Sequence, residues 1–97
     1  MKHPMRDTVL IINERDNVAV ALHDLAAGEH IRCGGVEGLI AGEAIPASHK
    51  IALRDIAAGE EIIKYGETVG VSSRDIARGA WVHTHNLERD RWKKQGK

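Results

Sequence analysis

Apolar residues in this chain come in short runs that end at polar clusters or glycines, with no helical spacing of useful length. Thr8 to Asn13 is a continuous apolar run bracketed by polar residues, which predicts a first buried strand. Asn13 to Asn17 is a polar turn, and Val18 to Leu22 then alternates large and small, as a strand with one closely packed face would. From Ile31 to Ile45 the register is weak: Gly34-Gly35 and Gly38 break it, with short strands expected around Val36, Leu39 and Ile40. Pro46-Ala47-Ser48 reads as a loop into a strand at Ile51 to Leu53. Ile62-Ile63 is another short strand, Lys64 to Glu67 a turn, and Val69 to Val71 a further strand. Trp81 to His85 reads as the last strand.

Three copies of one phrase punctuate these strands, beginning at Asp24, Asp55 and Asp75. Each reads Asp, aliphatic, Ala, any residue, Gly, two more residues, aliphatic. An Asp side chain can accept hydrogen bonds from the amides just after it, and Gly four residues on can take positive φ. The aliphatic residue between them, Leu25, Ile56 or Ile76, is placed to turn inward. The unit is therefore strand, tight corner, strand. Many short strands with regular glycine turns predict a small all-β fold.

At 97 residues the chain is long enough for one domain and one core. It contains no Phe and only 3% aromatic residues, so that core must be built from Val, Ile, Leu and Ala. Lys plus Arg equals Asp plus Glu at 14 each, which gives no case for nucleic acid or for an acidic membrane. The domain is expected over residues 1–87, with 88–97 as a charged, flexible tail. Cys33 is the sole cysteine, so no intrachain disulfide is available. There is no apolar leader and no run of membrane-spanning length, and a cytoplasmic location is expected.

The sharpest polar cluster is Trp81-Val82-His83-Thr84-His85-Asn86. In a strand, Trp81, His83 and His85 would share a face. Two histidines so spaced can contribute part of a metal site or hold an anionic substrate. The same spacing also suits two ordinary solvent-facing histidines. His49-Lys50 before the second repeat and Lys64-Tyr65-Gly66 after it supply ammoniums and a hydroxyl suited to a carboxylate or a sugar-acid hydroxyl. A solvated lysine beside a packing tyrosine is the alternative. The repeated aspartates are assigned to turn capping, and Cys33 has no neighbouring base in sequence.

In order, Asn17 to Leu22, His49 to Leu53, Ile63-Lys64-Tyr65-Gly66, Gly70 and His83-Thr84-His85-Asn86 resemble the small SAF domain of the altronate/galactarate dehydratase family. The Asp-Ile-Ala-x-Gly phrase is common to SAF-type domains. The ordered combination of His-Lys, Lys-Tyr-Gly and His-x-His-Asn is specific. Two departures stand out: Ser48 replaces the usual Gly before His-Lys, which would reshape that turn, and the Cys33 to Gly38 segment has no firm counterpart.

The resemblance implies a β-clip fold, a compact, bent, barrel-like set of short strands, and a lyase that dehydrates a hydroxylated sugar acid such as altronate, or eliminates sulfite from sulfolactate. Galactarate is the less favoured substrate, because galactarate enzymes tend to lack the His-x-His. The resemblance implies that the chain is a separate small subunit working with a large catalytic subunit, and it is not expected to act alone. Asn86-Leu87 and Arg91-Trp92 resemble stand-alone sulfo-lyase small subunits. His83 and His85 are expected at the catalytic centre, with His49, Lys50, Lys64, Tyr65, Gly66 and Asn86 binding substrate. A divalent metal, iron or manganese, is expected mainly on the large subunit, with His83 and His85 as partial ligands. The alternative is a non-catalytic SAF binding or assembly module. An isolated copy is expected to be able to form a homodimer through its strand edges.

Overall fold

The computed structural model describes residues 7–88, and among them there is no helix. Seven short strands form: β1 (Val9–Leu10), β2 (Val18–Ala21), β3 (Lys50–Ala52), β4 (Glu61–Lys64), β5 (Glu67–Ser72), β6 (Trp81–Val82) and β7 (Leu87–Glu88). They build two antiparallel sheets, one ordered β1-β2-β3-β6 and the other β4-β5-β7. This is the all-β architecture that the glycine-punctuated strands predict.

The corners form as expected in conformation but are capped differently. Gly28, Gly59 and Gly79 take φ of 86°, 86° and 90°, and Leu25, Ile56 and Ile76 are buried between them. The aspartates, however, do not cap the amides that follow them. Asp24 Oδ1 accepts from the Ala47 amide at 2.8 Å, Asp55 Oδ1 from Arg78 and Asp75 Oδ1 from Ala58, both at 2.9 Å. The corners are paired antiparallel through their aliphatic residues, Leu25 with Ile45 and Ile56 with Ile76. That pairing sets each Asp against the amide two residues beyond the opposite aliphatic. Local capping falls instead to glutamates: Glu29 Oε1 accepts from Ala26 N–H and Glu60 Oε1 from Ala57 N–H, each at 2.9 Å.

Pairing reveals a fourth corner where a plain loop was expected. Ala44-Ile45-Pro46-Ala47-Ser48 has the geometry of the other three, with Ser48 at the glycine position and φ of 72°. Ser48 N–H donates to the Ala21 carbonyl, as Gly28 does to Ala41, Gly59 to Ser72 and Gly79 to Ala52, all at 2.7–2.8 Å. The turn with Ser48 is thus not reshaped: the serine accepts the left-handed backbone that glycine adopts more cheaply.

Each pair of corners owns a core. Leu25 and Ile45 pack with Val9, Leu39 and Ile51, while Ile56 and Ile76 pack with Val18, Ile62 and Val82. Strands β2 and β3 serve both, because alternate residues face opposite ways: Ala19 and Ile51 enter the first core, Val18 and Ala52 the second.

Other strands are shorter than their apolar runs. The 8–13 run pairs only at Val9–Leu10, and Ile12 is 56% exposed. The Trp81–His85 strand ends at Val82, and β7 was not anticipated. The weak 31–45 segment folds as a narrow hairpin, with His30 bridged to Ile40 and Cys33 to Val36 around Gly34-Gly35. Arg78 ties it to the second half, its guanidinium donating to the Glu37 carbonyl at 2.7 Å and to Leu53 at 3.1 Å. Residues 89–97, including Arg91-Trp92 and nearly all of the charged tail, lie outside the described residues.

Candidate functional site

His49 leaves the fourth corner directly after Ser48, and Trp81 lies across β3, paired with Ile51. This brings together residues far apart in sequence. The indole Nε1 of Trp81 donates to His49 Nδ1 at 3.1 Å. The His83 ring stacks nearly parallel to the indole, at 12° with centroids 5.6 Å apart, and lies 4.6 Å from the His49 ring. His85 touches the indole at 5.2 Å. Four rings therefore gather at one edge of the larger sheet.

Strand alternation is not what places His85 there. Beyond Val82 the chain turns, with the Asn86 amide donating to the His83 carbonyl at 3.0 Å. Asn86 is buried, and its carboxamide holds the turn at both ends: Oδ1 accepts from His83 N–H at 2.9 Å, and Nδ2 donates to the Trp81 carbonyl at 2.8 Å. The His-x-His-Asn motif is thus a turn stapled by its own asparagine.

Lys50 and Lys64, fourteen positions apart in sequence, line one pocket of about 120 Å³ with Val69 and Leu87. Lys64 begins a two-residue hairpin in which Tyr65 and Gly66 both have positive φ, 58° and 78°, the mirror-image turn that suits antiparallel strands. The turn is anchored from outside, since Gly66 N–H donates to Asp16 Oδ1 at 2.7 Å. A Cβ at Gly66 would come within 2.8 Å of Asn13 Nδ2. Buried Asn17 ties the same strand down, accepting from Ile63 N–H at 2.7 Å and donating to the Glu61 carbonyl at 2.8 Å. Tyr65 stays 47% exposed, with Lys64 Nζ 4.9 Å from its ring centre.

The pocket and the ring cluster adjoin through Lys50. Its charge is among those that hold the His83 pKa below the ordinary histidine value, after desolvation and His49 and ahead of His85. His83 thus favours its neutral form. Burial pushes the Cys33 thiol up, helped by Asp7, which leaves it a poor nucleophile at neutral pH.

Of the residues expected at the site, the structure gathers His49, His83 and His85 around Trp81 and sets Lys50 and Lys64 in one pocket, through bonds that were not read from the sequence. The Trp81–His49 bond spans 32 positions and the Asp16–Gly66 bond spans 50, and neither has a local signal. Among the described residues no three His, Cys, Asp or Glu side chains are grouped so as to hold a metal ion.

Two pairs of corners around two small cores, with this ring cluster at a sheet edge, make up one all-β domain. Residues 7–90 match the family described as the altronate/galactarate dehydratase SAF domain, and the chain belongs to that family. It is 44% identical to the altronate dehydratase of Escherichia coli (strain K12) over 75 residues, 77% of this chain and 15% of that protein. It is also 44% identical, over 73 residues, to the galactarate dehydratase (L-threo-forming) of the same strain, covering 73% of this chain and 13% of that protein. Over 48 residues it is 46% identical to the (2R)-sulfolactate sulfo-lyase subunit alpha of Paracoccus pantotrophus, half of this chain and 72% of that subunit. The chain thus spans only about 15% of the length of the dehydratases it matches. Its relatives are lyases. Among the described residues no helix is long and apolar enough to cross a membrane.

Proposed function

We propose that this chain is the SAF subunit of a cytoplasmic lyase that acts with a larger catalytic partner on a small hydroxy acid. The reaction is dehydration of a sugar acid such as altronate, or loss of sulfite from sulfolactate. The observation that carries this reading is the meeting of Lys50 and Lys64 in one pocket beside the Trp81–His49–His83–His85 cluster. Two ammoniums suit a substrate carboxylate, and neighbouring imidazoles suit proton movement. The naming of the sulfo-lyase relatives as alpha subunits supports a multi-subunit arrangement.

In such an elimination the proton beside the carboxylate goes to a base. The bond to the leaving group on the next carbon then breaks, and the leaving oxygen or sulfite departs with the electron pair. Lys50 and Lys64 hold the carboxylate in this reading, and the Tyr65 hydroxyl and the backbone at Gly66 meet the substrate's hydroxyls. His83 and His85 move protons, and Asn86 keeps them in register. A divalent metal, iron or manganese, is assigned mainly to the partner in this reading, where it would stabilise the charge that develops on the carboxylate and assist the leaving group, with His83 and His85 placed to complete its shell.

Affinity capture of the tagged chain from its native cells, with mass spectrometry of the co-purifying chains, tests the partnership. The expected result is a larger dehydratase or sulfo-lyase chain in stoichiometric yield. Recovery of the chain alone, from cells that express such a partner, would favour a binding module or a homodimer.

A further inference from the structure

We propose that Trp81 is a positioning residue that locks His49 in its Nε2–H tautomer. His49 then meets an anionic oxygen of the substrate as a hydrogen-bond donor, and serves neither as a base nor as a metal ligand. The tautomer follows from the geometry of this chain, and the donor role rests on the lyase reading above.

An indole N–H can only donate. Its bond to His49 Nδ1 at 3.1 Å therefore requires a lone pair on that nitrogen. A neutral imidazole has one ring proton, which must then sit on Nε2. A base or a metal ligand needs a free lone pair, and His49 has none to give: one faces the indole, and the other nitrogen carries the proton. With Nδ1 engaged, Nε2 is the nitrogen left to meet a ligand. An N–H at that point suits a carboxylate or departing hydroxyl oxygen of the hydroxy acid held by Lys50 and Lys64.

The indole is itself firmly held. Its residue's N–H donates to Glu43 Oε2 at 3.1 Å, its carbonyl accepts from Asn86 Nδ2 at 2.8 Å, and its ring is packed by His83 and His85. The donor to His49 is thus fixed before any substrate arrives, which is the requirement for preorganised polar stabilisation. Roles within the cluster divide accordingly. His49 donates, and proton transfer is left to His83 and His85.

The test is two-bond proton–nitrogen correlation spectroscopy of the histidine rings in the ¹⁵N-labelled chain, with coupling measured across the Trp81 Nε1–His49 Nδ1 bond. In the wild type, His49 should show the pattern of the Nε2–H tautomer alone, and the coupling should be present. Trp81→Phe keeps an aromatic ring but removes the donor, and should give a mixture of tautomers. An Nδ1–H pattern in the wild type, or an unaltered Nε2–H pattern in Trp81→Phe, would overturn the lock. These readings need neither partner nor substrate, so they stand apart from the lyase assignment. In the reconstituted lyase, Trp81→Phe should raise KM for the hydroxy acid in inverse proportion to the Nε2–H fraction that the spectra report, with a smaller change in kcat. An unchanged KM in a variant whose tautomer is released would overturn the donor role while leaving the lock intact.

Discussion

Asp55 and Asp75 hold each other's corners: Asp55 accepts from the Arg78 amide and Asp75 from the Ala58 amide, both at 2.9 Å. The relationship is reciprocal because Ile56 and Ile76 pair antiparallel, exchanging backbone bonds of 2.8 and 2.7 Å. Replacing either Asp with Ala should cost about 1–2 kcal/mol, the usual loss for a capping carboxylate. Because both caps lie in one network, the double variant should lose less than the sum. Urea unfolding of the three variants measures this, and strict additivity would show the corners to be independent. In the other pair Asp24 caps Ala47, but Ala44 stands where its counterpart would be.

Ser48 carries a backbone shape that its three counterparts give to glycine. Ser48→Gly should therefore stabilise the chain by about 1 kcal/mol, because a left-handed conformation is costly for any residue with a Cβ. A rise in the thermal midpoint with unchanged His49 ring contacts is the expected result. A fall would mean that the serine side chain contributes more than its backbone costs.

Glu60 gives the fold an acid-sensitive contact. The Arg54 guanidinium at 2.6 Å and the Ala57 amide hold its carboxyl below the usual glutamate range. A carboxyl whose folded value lies below its unfolded one stabilises the fold at pH values above the unfolded value, about 4.3. That contribution fades as pH falls through the folded value. Glu60→Gln should thus lower the thermal midpoint at pH 7 and narrow its gap to wild type at pH 3. An equal gap at both would contradict this account.

His83 should titrate below an ordinary histidine, because desolvation and the nearby His49, Lys50 and His85 disfavour its charged form. A histidine so depressed stabilises the fold most above its unfolded value, and that contribution is lost as pH falls through the folded one. Lys50→Gln removes one positive neighbour, so the His83 midpoint should move upward in a proton NMR titration. No movement would separate the lysine pocket from the ring cluster.

The corners were legible in the sequence because three of them keep Asp, an aliphatic residue and Gly at fixed spacing. The fourth was not, since Ala44, Pro46 and Ser48 replace the recognisable letters and only buried Ile45 remains. The capping partners were misread for a related reason: a local rule assigns Asp24 to its own turn, whereas corner pairing hands it to Ala47. In the candidate site, the motifs pointed to side chains that the structure places close together. Their assembly depended on β3–β6 pairing and on Asn86 folding the His-x-His segment back onto Trp81, and neither leaves a periodic trace. Lys50 and Lys64 meet only because β3 and β4 lie on different sheets that close over one pocket.

The central claim is that this ring cluster serves a hydroxy-acid lyase. The most direct measurement is turnover of altronate and of sulfolactate by the complex reconstituted with the larger partner, comparing wild type with His83→Ala/His85→Ala. The account predicts loss of turnover, by about 100-fold or more as expected for proton-transfer groups, in a complex that still assembles. Full turnover by an assembled double variant would contradict it and leave the chain a binding or assembly module.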